Sequence, residues 1–352
     1  MNDILPLLKK MLSAPGLSGF EGPIREIITQ AWRPLTDELS VSKIGSLHGL
    51  KKGRGEDPRK RVLISAHMDA IGMIVTEIKD GFLRIAPIGG IDHRILPGQP
   101  VIVHGRQALR GQVVQPPGFL LPESVGSGPV KMSYLLVDVG LQPEVVSEKV
   151  RVGDLVSYAQ APIELTGEAL AGHTLDNRVS VAATTLCLEE LQNRAHDWDV
   201  WAVASAQEEV SLGGAQTSPF EIRPDIAIIV DVCFAKGPGA TDWQNLPFGG
   251  GVGIGFGPNI HPALYSRFEE TAKTLEIPVQ KDLMPKMSGT DAMAVQVVAD
   301  GIPCAVLGIP LRYMHTPVET VSLKDVRRVG RLMAAFIANL KPDTLDQINW
   351  EA

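Results

Sequence analysis

The sequence predicts an α/β protein: a three-layer sandwich around a mostly parallel sheet, interrupted by an inserted all-β domain. Three observations predict it. Short apolar runs such as Val62-Leu63-Ile64-Ser65-Ala66 fit strands buried on both faces, as in a parallel sheet. Before about residue 70 and after about residue 165, such runs alternate with helical stretches, the pattern of an α/β layer fold. In between, short β-type runs punctuated by Gly, Pro and Asp replace that alternation. The expected division is a main domain over 1–70 and 165–352 and a β-rich insertion over 71–164.

In chain order, residues 1–12 read as a short amphipathic helix, with Pro6 tolerable only in its first turn. Ser13-Ala14-Pro15-Gly16-Leu17 ends it. Ser18-Gly19-Phe20-Glu21 has the form of a capping box for a helix reaching Trp32. Residues 38–50 alternate weakly, as a strand pair would, and the charged run 51–61 reads as an exposed turn. The strand over 62–66 ends in His67-Met68-Asp69. The insertion offers strands at 73–78, 82–87, 101–104, 111–114, 135–139 and 155–159, with one helix at 143–149. After Gly172, a helix over 179–192 starts near Asp176. Strands then fall at 200–206, 226–231, 252–256 and 305–309, and helices near 262–276, 290–299 and 322–340. The tail 343–352 reads as loosely ordered.

Bulk properties narrow the function. The 352 residues are 44% hydrophobic and 21% charged, ordinary for a globular protein with a sizeable core. A net charge of −7 argues against a nucleic-acid surface, which needs a basic patch. No apolar run approaches the roughly 18 residues of a membrane span, and the N-terminus lacks the order of a signal peptide. Cys187, Cys233 and Cys304 lie in apolar surroundings. An odd count without Cys-x-x-Cys spacing fits reduced core thiols, and hence a cytoplasmic protein.

Several predicted strands end in residues that bind hard or borderline cations. His67 and Asp69 follow the first strand, Glu208 and Glu209 the strand at 200–206, Asp231 the next, and His315 the last. Asp176 stands at a predicted helix start, where the helix dipole favours a carboxylate. Singly, each has a bland reading: a core histidine, a helix cap, a turn aspartate, a solvated acid pair. Ligands of open α/β sheets, however, bind beyond the carboxyl ends of the strands. Two histidines and several carboxylates at that edge make a site for two divalent metals, since Zn²⁺ accepts both donor types.

The runs Ser65-Ala66-His67-Met68-Asp69, Leu175-Asp176-Asn177-Arg178, Gln207-Glu208-Glu209-Val210, Ile229-Val230-Asp231 and Arg312-Tyr313-Met314-His315-Thr316-Pro317 occur in that order. Together they resemble the dinuclear metallo-aminopeptidases of the tetrahedral type, peptidase family M42. Pro15-Gly16-Leu17-Ser18-Gly19-Phe20-Glu21 and Ser288-Gly289-Thr290-Asp291-Ala292 share the likeness. The resemblance implies a peptide substrate and two divalent ions per subunit, Zn²⁺ or Co²⁺. It implies that Asp176 bridges the ions, that His67 and Asp231 complete one site, and that Glu209 and His315 complete the other. Asp69 would accept from the far nitrogen of His67, and Glu208 would be the general base. The β insertion would mediate assembly into a homo-oligomer, a tetrahedral dodecamer in that family.

The pattern departs from the family in places. Ser42 and Ser46 stand where many members have Asp and Asn, and Gly118 where a His often follows the prolines. The run Gly249-Gly250-Gly251-Val252-Gly253-Ile254-Gly255-Phe256-Gly257 lacks the Gly-Lys-Ser/Thr of a phosphate loop; a glycine-lined strand beside the substrate is expected instead. Two alternatives stay open: a metal-dependent deacylase or carboxypeptidase on the same scaffold, and a catalytically silent assembly protein.

Overall fold

A computed structural model describes residues 3–125, 128–348 and 350. Residues 1 and 2 of the expected first helix, and 349, 351 and 352 of the expected tail, lie outside the described residues. The first and last parts of the chain build an eleven-stranded sheet, and the middle builds a closed six-stranded barrel.

Four strands run parallel at the centre of the sheet, in the order Asp199–Ser205, Arg61–His67, Ile226–Phe234 and Cys304–Arg312. Toward the edges the pairing turns antiparallel. Glu38–Val41 and Leu47–Lys51 form a hairpin against Asp199–Ser205. Glu319–Ser322 returns between Cys304–Arg312 and Ala169–Gly172. The sheet is therefore mixed, where its apolar runs predicted a mostly parallel one. Short connections are the reason. Only residues 42–46 join the hairpin strands and only 313–318 join Cys304–Arg312 to Glu319–Ser322, and a parallel crossover needs a dozen or more residues.

Alternate side chains of the central strands go to opposite faces. Val62, Ile64 and Ala66 join an apolar cluster with Leu186 of the helix Leu175–Leu191 and Val329 of the helix Leu323–Ala338. Leu63 joins another with Ile222 of the helix Gly213–Ile222 and Val295 of the short helix Ala292–Val295. That last helix is less than half the stretch expected at 290–299.

The barrel strands are Gly72–Lys79, Phe82–Ile88, Pro100–His104, Ala108–Val114, Leu136–Asp138 and Leu155–Tyr158, all antiparallel. Met73, Val75, Leu83, Val101, Val103 and Val156 fill its interior, and the helix Pro143–Lys149 falls where the sequence predicts one. The barrel also reaches the sheet edge: a Cβ on Gly90 would stand 2.9 Å from Nδ1 of His315.

Three local expectations change. Glu21 is no capping-box acid: its carboxylate accepts the backbone N–H of Gly19 at 2.7 Å and of Gln207 at 3.1 Å, while the Ser18 hydroxyl has no partner. Asp176 stands at the helix start, in a stretch with Asn177 of non-helical backbone angles, but its carboxylate faces His67 and His315 instead of capping the helix. Asp231 does not end its strand, which runs on to Phe234 against Cys304–Arg312. The glycine run forms the strand Val252–Phe256, whose glycines let neighbours approach: a Cβ on Gly253 would come within 2.8 Å of Leu246.

Candidate active site

The strand Asp199–Ser205 stops just before the acid pair, and Gln207 takes a left-handed φ of +62°. A single helical turn, Glu208–Ser211, follows. The two acids therefore sit on one turn of helix, about 100° apart rather than on opposite strand faces. The reversal comes at Gln207, ahead of the acids; Gly213 opens the next helix instead of making this turn. Asp69, buried beneath, pins the turn. Its Oδ1 accepts the N–H of Glu208 at 3.0 Å and its Oδ2 the N–H of Glu209 at 3.2 Å.

His67 ends its strand with Nε2 3.1 Å from Asp176 Oδ1, 3.8 Å from Asp231 Oδ1 and 3.9 Å from Glu208 Oε2. Its Nδ1 lies 3.1 Å from the backbone carbonyl of Asp69, against 3.6 Å from that residue's carboxylate. The carbonyl is the nearer acceptor, while the carboxylate oxygens of Asp69 hold the two amides of the acid turn. His315 arrives from the other side, on a loop with left-handed Tyr313 and His315. Its Nε2 is 3.4 Å from Asp176 Oδ2 and 3.5 Å from Glu209 Oε2. Asp176 thus faces a histidine with each of its oxygens. Ligand atoms of His67, Asp176 and Glu209 all fall within 4.8 Å of one another.

Electrostatics follow from this crowding. Burial pushes the carboxyls of Glu208 up to about 7 and of Glu209 up to about 8, with neighbouring carboxylates adding to both. Burial likewise holds Asp231 well above the usual carboxylate range. Burial opposes ionised Asp176 too, but hydrogen bonds from His315 and His67 outweigh it and hold its carboxyl below the ordinary range. The bond to Asp176 raises His315 to about 9. Burial disfavours a charged His67, yet the Glu208, Asp176, Asp69 and Asp231 carboxylates prevail and lift it well above its ordinary value. Several acids packed around two imidazoles are short of positive charge. Divalent cations would supply it, and the mixture of imidazole nitrogens and carboxylate oxygens suits them.

Sequence reasoning gave no role to two further acids. Glu319, buried, accepts the N–H of His315 at 2.9 Å and of Asp176 at 3.1 Å. Its signal was an acid four residues beyond His315 at the start of a buried strand, Glu319–Ser322. Asp291, also buried, accepts hydroxyls of Ser65 at 2.7 Å and Ser205 at 2.6 Å. The serines interrupting two apolar strands were the hint. Among the histidines with no ligand spacing, His48 bonds Ser218, His104 bonds Ser157 and His196 bonds a backbone carbonyl.

The cavity over this cluster is about 860 Å³ and is lined by His67, Asp176, Glu208, Glu209, Asp231 and His315. The sequence pattern of the M42 glutamyl aminopeptidases matches residues 45–332. The lysyl aminopeptidase of Pyrococcus furiosus is 34% identical over 342 residues, spanning 96% of this chain and 97% of the relative. The structure of a TET aminopeptidase from a marine sediment Thaumarchaeota archaeon superposes with a TM-score of 0.92 at 29% identity, covering 98% of this chain and 99% of that one. The Pyrococcus horikoshii TET1 peptidase, described as assembling into a tetrahedron or a large octahedral shell, gives 0.83 at 29% identity over 96% of this chain and 100% of that one. With its ordered motifs, its fold and its length all matched, this chain belongs to the M42 glutamyl aminopeptidase family.

Proposed function

We propose that this protein removes the N-terminal residue of peptides with two divalent ions, Zn²⁺ or Co²⁺, held around Asp176. The observation that carries the reading is that His67 and His315 each face one oxygen of Asp176, with Asp231 3.8 Å from His67 and Glu209 3.5 Å from His315. His67 and Asp231 would hold one ion, Glu209 and His315 the other, with Asp176 shared. When bound, such ions polarise a carbonyl and acidify a water. Glu208 would take the proton and hand it to the departing amine. Burial suits it to that work, since a carboxyl near 7 can hold and release a proton at neutral pH. Asp69 fixes the backbone of that base through its bond to the Glu208 amide.

The division into a main domain at 1–70 and 165–352 and an insertion at 71–164 belongs to the same reading. The apolar clusters on both faces of the sheet support its being the middle of three layers. The barrel would carry the contacts of a homo-oligomer; the P. horikoshii relative is itself one that assembles into a tetrahedron. Three buried free cysteines suit the cytoplasm, and no helix among the described residues is long and apolar enough to cross a membrane.

The test is a panel of aminoacyl-nitroanilides and a matched N-acetylated peptide, assayed after chelation and re-addition of each metal. Cleavage of the free amines only, restored by metal, is expected. Cleavage of the blocked peptide would point to the deacylase or carboxypeptidase alternative. No bound divalent ion under replete conditions would point to the silent one.

A further inference from the structure

The floor of the cavity runs along one face of the sheet, away from Asp231. Cys233, two residues on, shares that face. Asp231 pairs with Gly308 on the neighbouring strand. A Cβ on Gly308 would come within 2.8 Å of Cys233 Sγ and 3.5 Å of Asp282 Oδ2. Asp282 belongs to the edge strand Val279–Leu283 and pairs with Gly255. Glycine at 308, and at 253 and 255 on the intervening strand, leaves the side chain of Asp282 free to lie back over the sheet. Its carboxylate therefore hangs about one strand spacing, ~5 Å, from the strand of Asp231.

Asp282 lines the cavity yet is only 8% exposed. Among the described residues it makes no side-chain hydrogen bond and no ion pair. Adjacent Lys281 points to the opposite face, its ammonium over the rings of Phe256 and Tyr265 at 4.4 and 5.1 Å. Lys286, exposed at the rim, forms no ion pair with it. A buried acid without a cation is costly, and burial lifts the carboxyl of Asp282 to about 6, so at neutral pH it is largely ionised. Around it the wall is apolar, with Met284 and Val306 suited to a methylene chain.

Resting on the aminopeptidase function proposed above, we infer that Asp282 is a specificity residue that receives the cationic side chain of an N-terminal lysine or arginine. The chain's own geometry carries this: a nearly buried carboxylate, unpaired among the described residues, at the end of an apolar trough that begins at Asp231.

The metal-loaded wild type, Asp282→Asn and Asp282→Glu are assayed on lysyl-, arginyl-, leucyl- and glutamyl-nitroanilides. Wild type should show its highest kcat/KM on the lysyl and arginyl substrates. Asp282→Asn should lower those two by about 10–100-fold, the scale of one charged hydrogen bond, and leave the leucyl substrate within about threefold. Asp282→Glu, which keeps the charge, should keep the preference and guards against a folding defect in the Asn variant. Calorimetry with L-lysine and L-norleucine, which differ only in the terminal ammonium, adds a readout free of turnover: lysine should bind more tightly to wild type and lose that advantage in Asp282→Asn. Equal loss on all four substrates, a wild-type preference for glutamyl or leucyl substrates, or equal binding of the two amino acids overturns the inference while leaving the aminopeptidase reading intact. Asp282-dependent lysine binding without cleavage of any free-amine substrate would instead sink that reading and keep the site.

Discussion

Glu319 Oε2 accepts the backbone N–H of Asp176 at 3.1 Å. Its other oxygen accepts the N–H of His315 at 2.9 Å. One buried carboxylate thus ties together two residues that lie 139 positions apart in the sequence and face each other across the site. Replacing Glu319 with Ala should leave both amides unsatisfied and let Asp176 and His315 drift. Metal affinity should fall about 10–100-fold, the usual cost of losing a group that orients a ligand. Competitive titration against a chromogenic chelator measures it, and unchanged affinity would remove Glu319 from a positioning role.

Glu208 and Glu209 share one helical turn but differ in neighbours: Glu209 lies 3.5 Å from His315 Nε2, and Glu208 lies 3.9 Å from His67 Nε2. Glu208→Gln should keep its metal content by elemental analysis and lose turnover by about 10²–10⁴-fold, the range of a missing general base. Near-normal kcat in that variant would end its assignment as the base.

The metal-stripped protein should respond to pH with a definite sign. Glu209 is raised from 4.5 to about 8 and His315 from 6.5 to about 9. Both bind more protons in the folded state than in the unfolded chain between those limits. His67 and Asp231 are raised as well and act in the same sense. Stability rises with pH only where the unfolded state binds more protons. Above about pH 7, where the histidines whose pKa burial lowers no longer titrate, stability should therefore fall as pH climbs to about 9. Bound metal replaces those protons, so metal-loaded protein should lose the trend and metal binding should release protons. Melting curves at several pH values with and without chelator decide it; a stripped protein that gains stability toward pH 9 would contradict the site electrostatics.

Phe119 and Leu120 stand out on the barrel, 85% and 66% exposed. Two adjacent large apolar side chains on the 3₁₀ turn Gly118–Leu120 would supply a contact of the proposed assembly. Phe119→Asp should lower the oligomer mass measured by light scattering while leaving the melting temperature of the subunit nearly unchanged. An oligomer of unaltered mass would move the contact elsewhere on the barrel.

The sequence by itself determined the architecture's kind and picked out candidate residues that the fold gathers at one place. Short apolar runs alternating with helical stretches fit strands covered on both sides, whose ends form one edge, and His67, Glu208, Glu209, Asp231 and His315 could be read from that edge. The change of texture after residue 71 marked the β insertion because closed antiparallel strands alternate and turn often. Tertiary structure alone decided the rest. The antiparallel edges follow from connection lengths, which apolar runs do not encode. Glu319, Asp291 and Glu21 act through backbone amides and hydroxyls distant in sequence, and a hydrogen bond to an amide leaves no pattern in the residues it joins. The same holds for the carboxylate of Asp69, whose two oxygens are taken by the amides of the acid turn. Asp282 is the plainest case: its nearness to Asp231 depends on the order of strands in the sheet and on glycine at 308, and both become legible only when the strands lie side by side.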